Sequence, residues 1–206
     1  MKVLLINGSP HEKGCTYTAL SLIAGELKAQ GIDTEILHVG GQPVGGCIGC
    51  GGCRSGNGCV FGGVVNEAIE KAKTADAFVF GSPVHYASAA GNMASFMDRL
   101  AYAGGKYLAY KPAAICCSAR RAGTTSTLDQ LVKHPQFFHM PLVNGSYWAM
   151  VHGSNPEQVL QDAEGCAVMQ ELGRNMAWLL HCIEAGKAAG IDHPQNPPRP
   201  MTSFIR

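Results

Sequence analysis

The stretch that decides the fold is Lys2-Val3-Leu4-Leu5-Ile6-Asn7, followed by Gly8-Ser9-Pro10-His11-Glu12-Lys13-Gly14-Cys15-Thr16. A continuous apolar run ended by Gly-Ser-Pro reads as a strand buried on both faces, as in a parallel sheet. Beyond the loop, Tyr17, Leu20, Ile23 and Leu27 recur at helical spacing, and Gly31 stops the pattern. Strand, loop and helix make the opening unit of an α/β fold.

The same unit recurs along the chain. Ile32 to Val39 is a second strand, and Val65, Ala68, Ile69 and Ala72 mark a helix. Asp76 to Gly81 (DAFVFG) is a third strand that also ends in Ser82-Pro83, followed by Met93, Phe96, Met97 and Leu100 at the spacing of a helix packed on a sheet. Lys111 to Ser118 (KPAAICCS) supplies a fourth strand, with its proline at the tolerated first position. A helix over Thr124 to His134 and a fifth strand over Met140 to Tyr147 follow. Beyond Pro156 a long helix carries a stripe of Met169, Leu172, Met176, Leu179 and Ile183, read as sheet-facing core. Five strands alternating with five helices predict a doubly wound, three-layer α/β sheet in a single domain over 1–206. A glycine- and cysteine-rich insertion loop covers 45–63. A tail over 192–206 with four prolines is expected to lie across the surface or reach a neighbouring subunit.

At 206 residues a core can bury roughly 70% of the extended chain's surface, so folding requires neither disulfides nor metal. Sixteen Lys plus Arg against 15 Asp plus Glu leave a net charge of +1, which excludes an electrostatic footprint for nucleic acid or anionic lipid. The first apolar run is too short for a signal peptide, and no stretch approaches a membrane span. A cytoplasmic location with reduced cysteines is the expectation. The histidines at 11, 38, 85, 134, 139, 152, 181 and 193 show no H-E-x-x-H spacing, and there is no G-x-S-x-G elbow, so metal-hydrolase and serine-hydrolase readings fall away.

Ligands of open parallel sheets bind beyond the carboxyl ends of the strands. The first such loop leads into a helix N-terminus, where free N–H groups favour a phosphate, with Ser9 and Thr16 adding hydroxyls. It matches neither G-x-G-x-x-G nor G-x-x-x-x-G-K-[ST], so a phosphate monoester suits it better than a dinucleotide or nucleoside triphosphate. The plain alternative is a turn with Thr16 as N-cap. The second loop, Ser82-Pro83-Val84-His85-Tyr86-Ala87-Ser88, offers two aromatic rings and peptide edges to a flat heterocycle, or packs for structural reasons alone. The third, Ser118-Ala119-Arg120-Arg121-Ala122-Gly123-Thr124, brings two fixed positive charges that either face an anionic ring edge or lie in solvent.

Nine of the 26 glycines fall between Gly45 and Gly63, around Cys47-x2-Cys50-x2-Cys53-x5-Cys59. Glycines between the thiols let the backbone curl so that four sulfurs can meet at one centre. The pattern admits an iron–sulfur cluster, tetrahedral zinc, or free redox-active thiols. Of the other cysteines, Cys116, Cys117, Cys166 and Cys182 read as small buried hydrophobes, and Cys15 stands apart because it lies on the first loop.

GSPHEKGCT, GSPVHYASAAGNMASFMDR and the ending TSFIR, in this order and spacing, resemble the NAD(P)H-dependent FMN reductase and multimeric flavodoxin family over nearly the whole chain. The resemblance implies a flavodoxin-like fold with sheet order 2-1-3-4-5, non-covalent FMN, NAD(P)H as substrate, and dimers or tetramers in which neighbours help build the flavin site. By the same resemblance the cofactor-binding residues are Ser9, His11, Gly14, Cys15, Thr16, Pro83, Val84, His85, Tyr86, Ser118, Ala119, Arg120 and Gly123. Cys15 and His11 depart from the family's common Asn and Arg. The cysteine segment resembles that of the iron–sulfur flavoprotein branch, which implies Cys47, Cys50, Cys53 and Cys59 as ligands of a [4Fe–4S] cluster. The expected function is an FMN-dependent NAD(P)H oxidoreductase serving a small acceptor such as a quinone or free flavin. The alternative is an iron–sulfur flavoprotein relaying electrons between a ferredoxin-like donor, the cluster and FMN.

Overall fold

The structure, a computed structural model, describes residues 1–198, 200–202 and 204. The remaining positions of the proline-rich tail and the TSFIR ending, Arg199, Ser203, Ile205 and Arg206, lie outside the described residues. The elements run β1 (Lys2–Asn7), α1 (Cys15–Ala29), β2 (Asp33–His38), α2 (Val64–Thr74), β3 (Ala77–His85), β4 (Ser88–Ala89), α3 (Gly91–Gly104), β5 (Ala113–Ala119), α4 (Thr124–Phe137), β6 (Met150–His152), α5 (Pro156–Val159) and α6 (Ala163–Ala188).

Five parallel strands pair in the order β2-β1-β3-β5-β6, and β4 folds back antiparallel on the end of β3. Counted among the parallel strands alone, this is the expected 2-1-3-4-5. Period-two alternation sorts the central strands between two cores. Val3, Leu5, Ala77 and Val79 face α1 and α6, where Leu20, Ile23, Leu27, Met169, Leu172 and Met176 cover them. Leu4, Ile6, Phe78 and Phe80 face the opposite layer, packed by Ile69 of α2 and by Met93, Phe96 and Leu100 of α3. Among the described residues, no helix is long and apolar enough to cross a membrane.

Three details differ from the sequence expectation. β3 does not stop at Gly81: Gly81, Ser82 and Pro83 continue to pair with Cys116, Cys117 and Ser118 of β5. Pro83, Val84 and His85 therefore lie on a strand and not in an open loop. The fifth parallel strand is Met150–His152 and not Met140 to Tyr147. Within that earlier run, Leu142 forms a single bridge to Ala113 before the chain bends away at Ser146-Tyr147. On α6 the inward stripe is Val168, Met169, Leu172, Met176 and Leu180, while Leu179 and Ile183 are only partly buried. The tail crosses the surface at its start, where His193 stacks on Tyr110 at 4.4 Å and Asn196 Nδ2 donates to the Tyr110 hydroxyl at 2.6 Å.

Candidate functional site at the strand carboxyl ends

The parallel strands deliver their connecting loops to one edge, and hydrogen bonds tie those loops together. Gly8 N–H donates to the Gly81 carbonyl at 2.9 Å, carrying the β1–β3 ladder one residue past the end of β1. Thr16 Oγ1 and Ser118 Oγ share a hydrogen bond of 2.8 Å between the first and third loops, and both side chains are buried. Ser126 Oγ donates to the Ala87 carbonyl at 2.7 Å, joining the third loop's helix to the β3–β4 hairpin.

The first loop is built around Asn7, which is fully buried at the end of β1. Its Oδ1 accepts from Ser9 N–H at 3.1 Å and its Nδ2 donates to the Glu12 carbonyl at 2.9 Å, folding the loop over the strand end. Ser9 Oγ then accepts from His11 N–H at 3.1 Å. His38, at the end of β2, donates Nε2–H to the Ser9 carbonyl at 2.7 Å, which fixes its tautomer. Gly14 starts α1 in an extended conformation, with no side-chain cap among the described residues. The amides of the first turn thus have no helical acceptor and face the loop, as an anion site requires. Thr16 is not the N-cap: it lies inside α1, with its hydroxyl turned to Ser118. The donor set of backbone amides, hydroxyls and a helix start fits a phosphate monoester.

Asn7, His38 and Gly40 had no motif to mark them, and a buried polar residue ending an apolar strand is the signal that finds Asn7. Asn7→Ala strands the Ser9 amide and the Glu12 carbonyl, so it is expected to cost about 1–3 kcal/mol, read as a lower denaturant midpoint at unchanged slope.

At the second loop the hairpin turn runs through Tyr86 at φ 50° and Ala87 at φ 59°, both in the left-handed region unfavourable to side chains. His85 and Tyr86 are exposed, and the Tyr86 ring stands free of the chain. Gly123 seats the third loop on this hairpin: at φ +92°, a Cβ there would come 2.7 Å from Ala87 Cα and 2.9 Å from Val84 Cγ1. Ala119 is buried beside Ser118, whereas Arg120 and Arg121 point to the exposed rim. Cys15 Sγ donates to the Gly153 carbonyl at 3.5 Å, and burial pushes its thiol pKa up, so it serves as a neutral packing and hydrogen-bonding group.

The cysteine loop leaves the same sheet edge after β2. Asn92 of α3 secures its start, accepting from Val44 N–H at 3.1 Å and donating to the Gly40 and Gln42 carbonyls at 3.1 and 3.0 Å. Asn66 of α2 grips its end: Cys59 N–H donates to Oδ1 at 2.8 Å, and Nδ2 donates to the Cys59 carbonyl at 3.0 Å. Arg99 of α3 closes the neck, donating to the Gly62 carbonyl at 3.1 Å, the Gly45 carbonyl at 3.4 Å and Cys59 Sγ at 3.3 Å. Sequence reading missed all three, because each sits on a helix whose apolar spacing already accounted for it. Cys47 and Cys50 are exposed, and Cys53 and Cys59 are half-buried. Among the described residues, no three metal-binding side chains surround one point, so the four sulfurs do not meet here. The donor set is nonetheless that of a thiolate site, on a backbone that Gly49, Gly51, Gly56 and Gly58 carry through positive φ.

The remaining thiols divide by burial. Cys116 and Cys117 are buried in β5, and desolvation pushes Cys117 up to about 12 and Cys116 further. Cys166 is half-buried, and Cys182 is exposed, contrary to its reading as a buried hydrophobe. Alkylation requires the thiolate, which for Cys117 is about one part in ten thousand near pH 8. Mass spectrometry after brief iodoacetamide treatment of the native protein is expected to find Cys182 labelled and Cys116 and Cys117 untouched.

The profile of the family described as NADPH-dependent FMN reductase matches residues 1–155. An iron–sulfur flavoprotein of Methanocaldococcus jannaschii is 27% identical over 192 residues, covering 89% of this chain and 100% of that protein. One from Methanosarcina thermophila is 23% identical over 192 residues, covering 91% and 99%. Among solved structures, RosB with a bound formylriboflavin phosphate intermediate aligns with TM-score 0.71 at 14% identity, covering 100% of this chain and 94% of that one. The apo form of an NADH:FMN oxidoreductase aligns at 0.64 and 17%, covering 86% and 89%. A flavodoxin from the domain Archaea aligns at 0.60 and 14%, covering 88% and 99%, which shows the flavodoxin-like fold.

Proposed function

The chain belongs to the NADPH-dependent FMN reductase family, and from that premise we propose that this flavin-dependent oxidoreductase takes electrons from NADPH or NADH and passes them to a small acceptor. The observation that carries the reading is the joining, at one sheet edge, of the first loop to the third through Thr16–Ser118 and of the third loop's helix to the second through Ser126–Ala87. FMN supplies the hydride and single-electron chemistry, and the protein holds and tunes it. In this reading Ser9, His11, Gly14, Cys15 and Thr16 surround the phosphate, with amides and hydroxyls as donors. Pro83, Val84, His85 and Tyr86 border the ring, and Ser118, Ala119, Arg120 and Gly123 line its other edge. Arg120, exposed at that rim, is the fixed cation for a negatively charged ring edge. Tyr86 projects wholly beyond its own chain, which supports a homodimer or homotetramer whose neighbour covers the ring. Nine free cysteines suit a reducing, cytoplasmic setting.

A second reading is favoured by the clamped cysteine loop and by the two iron–sulfur flavoproteins that the chain matches over nearly their full length. In it Cys47, Cys50, Cys53 and Cys59 hold a [4Fe–4S] cluster and the electron donor is a ferredoxin-like protein. Adding each nicotinamide in excess to the anaerobic FMN-loaded protein separates the two. The first reading expects the flavin absorbance to bleach. A flavin that stays oxidised with both nicotinamides, yet bleaches with a reduced ferredoxin, overturns the first and supports the second.

A further inference from the structure

Arg99 lies on α3, and only 6% of it is exposed. Its donors go to two backbone carbonyls and one sulfur, and its guanidinium sits 5.6 Å from the centre of the Phe61 ring. Among the described residues no carboxylate pairs with it. The neighbouring acid, Asp98, faces His134 instead, at 2.9 Å. A guanidinium cannot shed its proton, so burying it without an anion is costly. The Gly45 and Gly62 carbonyls each accept one hydrogen bond from it without cancelling its charge. The group beside it that becomes anionic on metal binding is the Cys59 sulfur, and Asn66 fixes that residue's backbone from the other side.

We propose that Arg99 is the buried counter-cation of the cysteine loop, neutralising the anionic sulfur centre formed by Cys47, Cys50, Cys53 and Cys59 and raising its reduction potential. The inference rests on the reading of that loop as an iron–sulfur site. A fixed positive charge in a low-dielectric position stabilises the more negative, reduced form of a nearby cluster over the oxidised one, and a hydrogen bond to a ligand sulfur acts in the same direction. Arg99 is thus a positioning residue as well as a charge: it closes the neck of the loop and biases the centre inside it.

The test uses the full chain purified without oxygen, as wild type, Arg99→Met and Arg99→Lys. Iron and acid-labile sulfide are measured on each, then the midpoint potential by redox titration followed by electron paramagnetic resonance. The expected result is a more negative potential in Arg99→Met and a potential near wild type in Arg99→Lys, with bound FMN unchanged in all three. Equal iron content and an unshifted potential in Arg99→Met overturn the inference and leave the cluster reading standing. A wild-type chain without iron overturns the cluster reading and this inference with it. Where Arg99→Met holds no iron, the lysine variant decides. Iron retained by Arg99→Lys supports the charge, and iron lost as completely as from Arg99→Met reduces Arg99 to a hydrogen-bonding staple.

Discussion

Gly40→Ala is expected to weaken FMN binding at least about tenfold, about 1.4 kcal/mol. Gly40 lies just after β2, pressed against the backbone of the first loop. A Cβ there would sit 2.5 Å from the Gly8 carbonyl oxygen and closer still to the Ser9 carbonyl. Those atoms are backbone and cannot rotate away. The loop must shift, at a strain of about 1–3 kcal/mol, and with it the Ser9 carbonyl held by His38. Gly25→Ala is the matched control. Gly25 is an exposed position inside α1, with nothing within 4 Å of its would-be Cβ. Its substitution is expected to leave FMN binding unchanged and to raise stability by about 0.5–1 kcal/mol through helix propensity. Equal FMN affinity of Gly40→Ala and wild type by fluorescence titration would dissociate the first loop from the flavin.

Cys59→Ser is expected to remove nearly all iron while leaving FMN in place. Cys59 is the cysteine of the loop gripped from both sides, by Asn66 through its backbone and by Arg99 through its sulfur. A hydroxyl is a poor ligand for a soft iron site, so losing this sulfur removes the best-fixed of four ligands. Cys182→Ser, at an exposed thiol on α6, is expected to keep both cofactors. Iron content read by inductively coupled plasma mass spectrometry, beside released flavin, checks both variants. A Cys59→Ser protein with wild-type iron would move the site elsewhere.

Much of the fold was legible because its signals are local. KVLLIN reads as a two-faced strand, and the structure divides its side chains cleanly between the two cores. The errors arose where pairing overrides a local break. Ser82-Pro83 looked like an end, yet Pro83 pairs in register with Ser118 because β5 runs alongside, and the missing N–H is tolerated near the strand's end. Met140 to Tyr147 is apolar enough for a strand, but beyond its bridge at Ala113 the edge of β5 is taken along Cys117 to Ala119 by Met150 to His152. At the site, the loops announced themselves by glycine, serine and proline after apolar runs. Asn66, Asn92 and Arg99 did not, since their meaning lies in which backbone they reach across 7 to 54 residues of sequence, and spacing along one helix carries no trace of that.

The central claim is that the loops at the strand carboxyl ends hold FMN. The direct test is to purify the chain without oxygen and record its visible spectrum, then release and quantify flavin, iron, sulfide and zinc on the same sample. The account predicts about one FMN per chain, its absorption bands overlaid by a broad bleachable absorbance with about four irons. Flavin without iron would keep the flavin site and remove the cluster. A colourless protein that fails to take up added FMN would contradict the account at its centre.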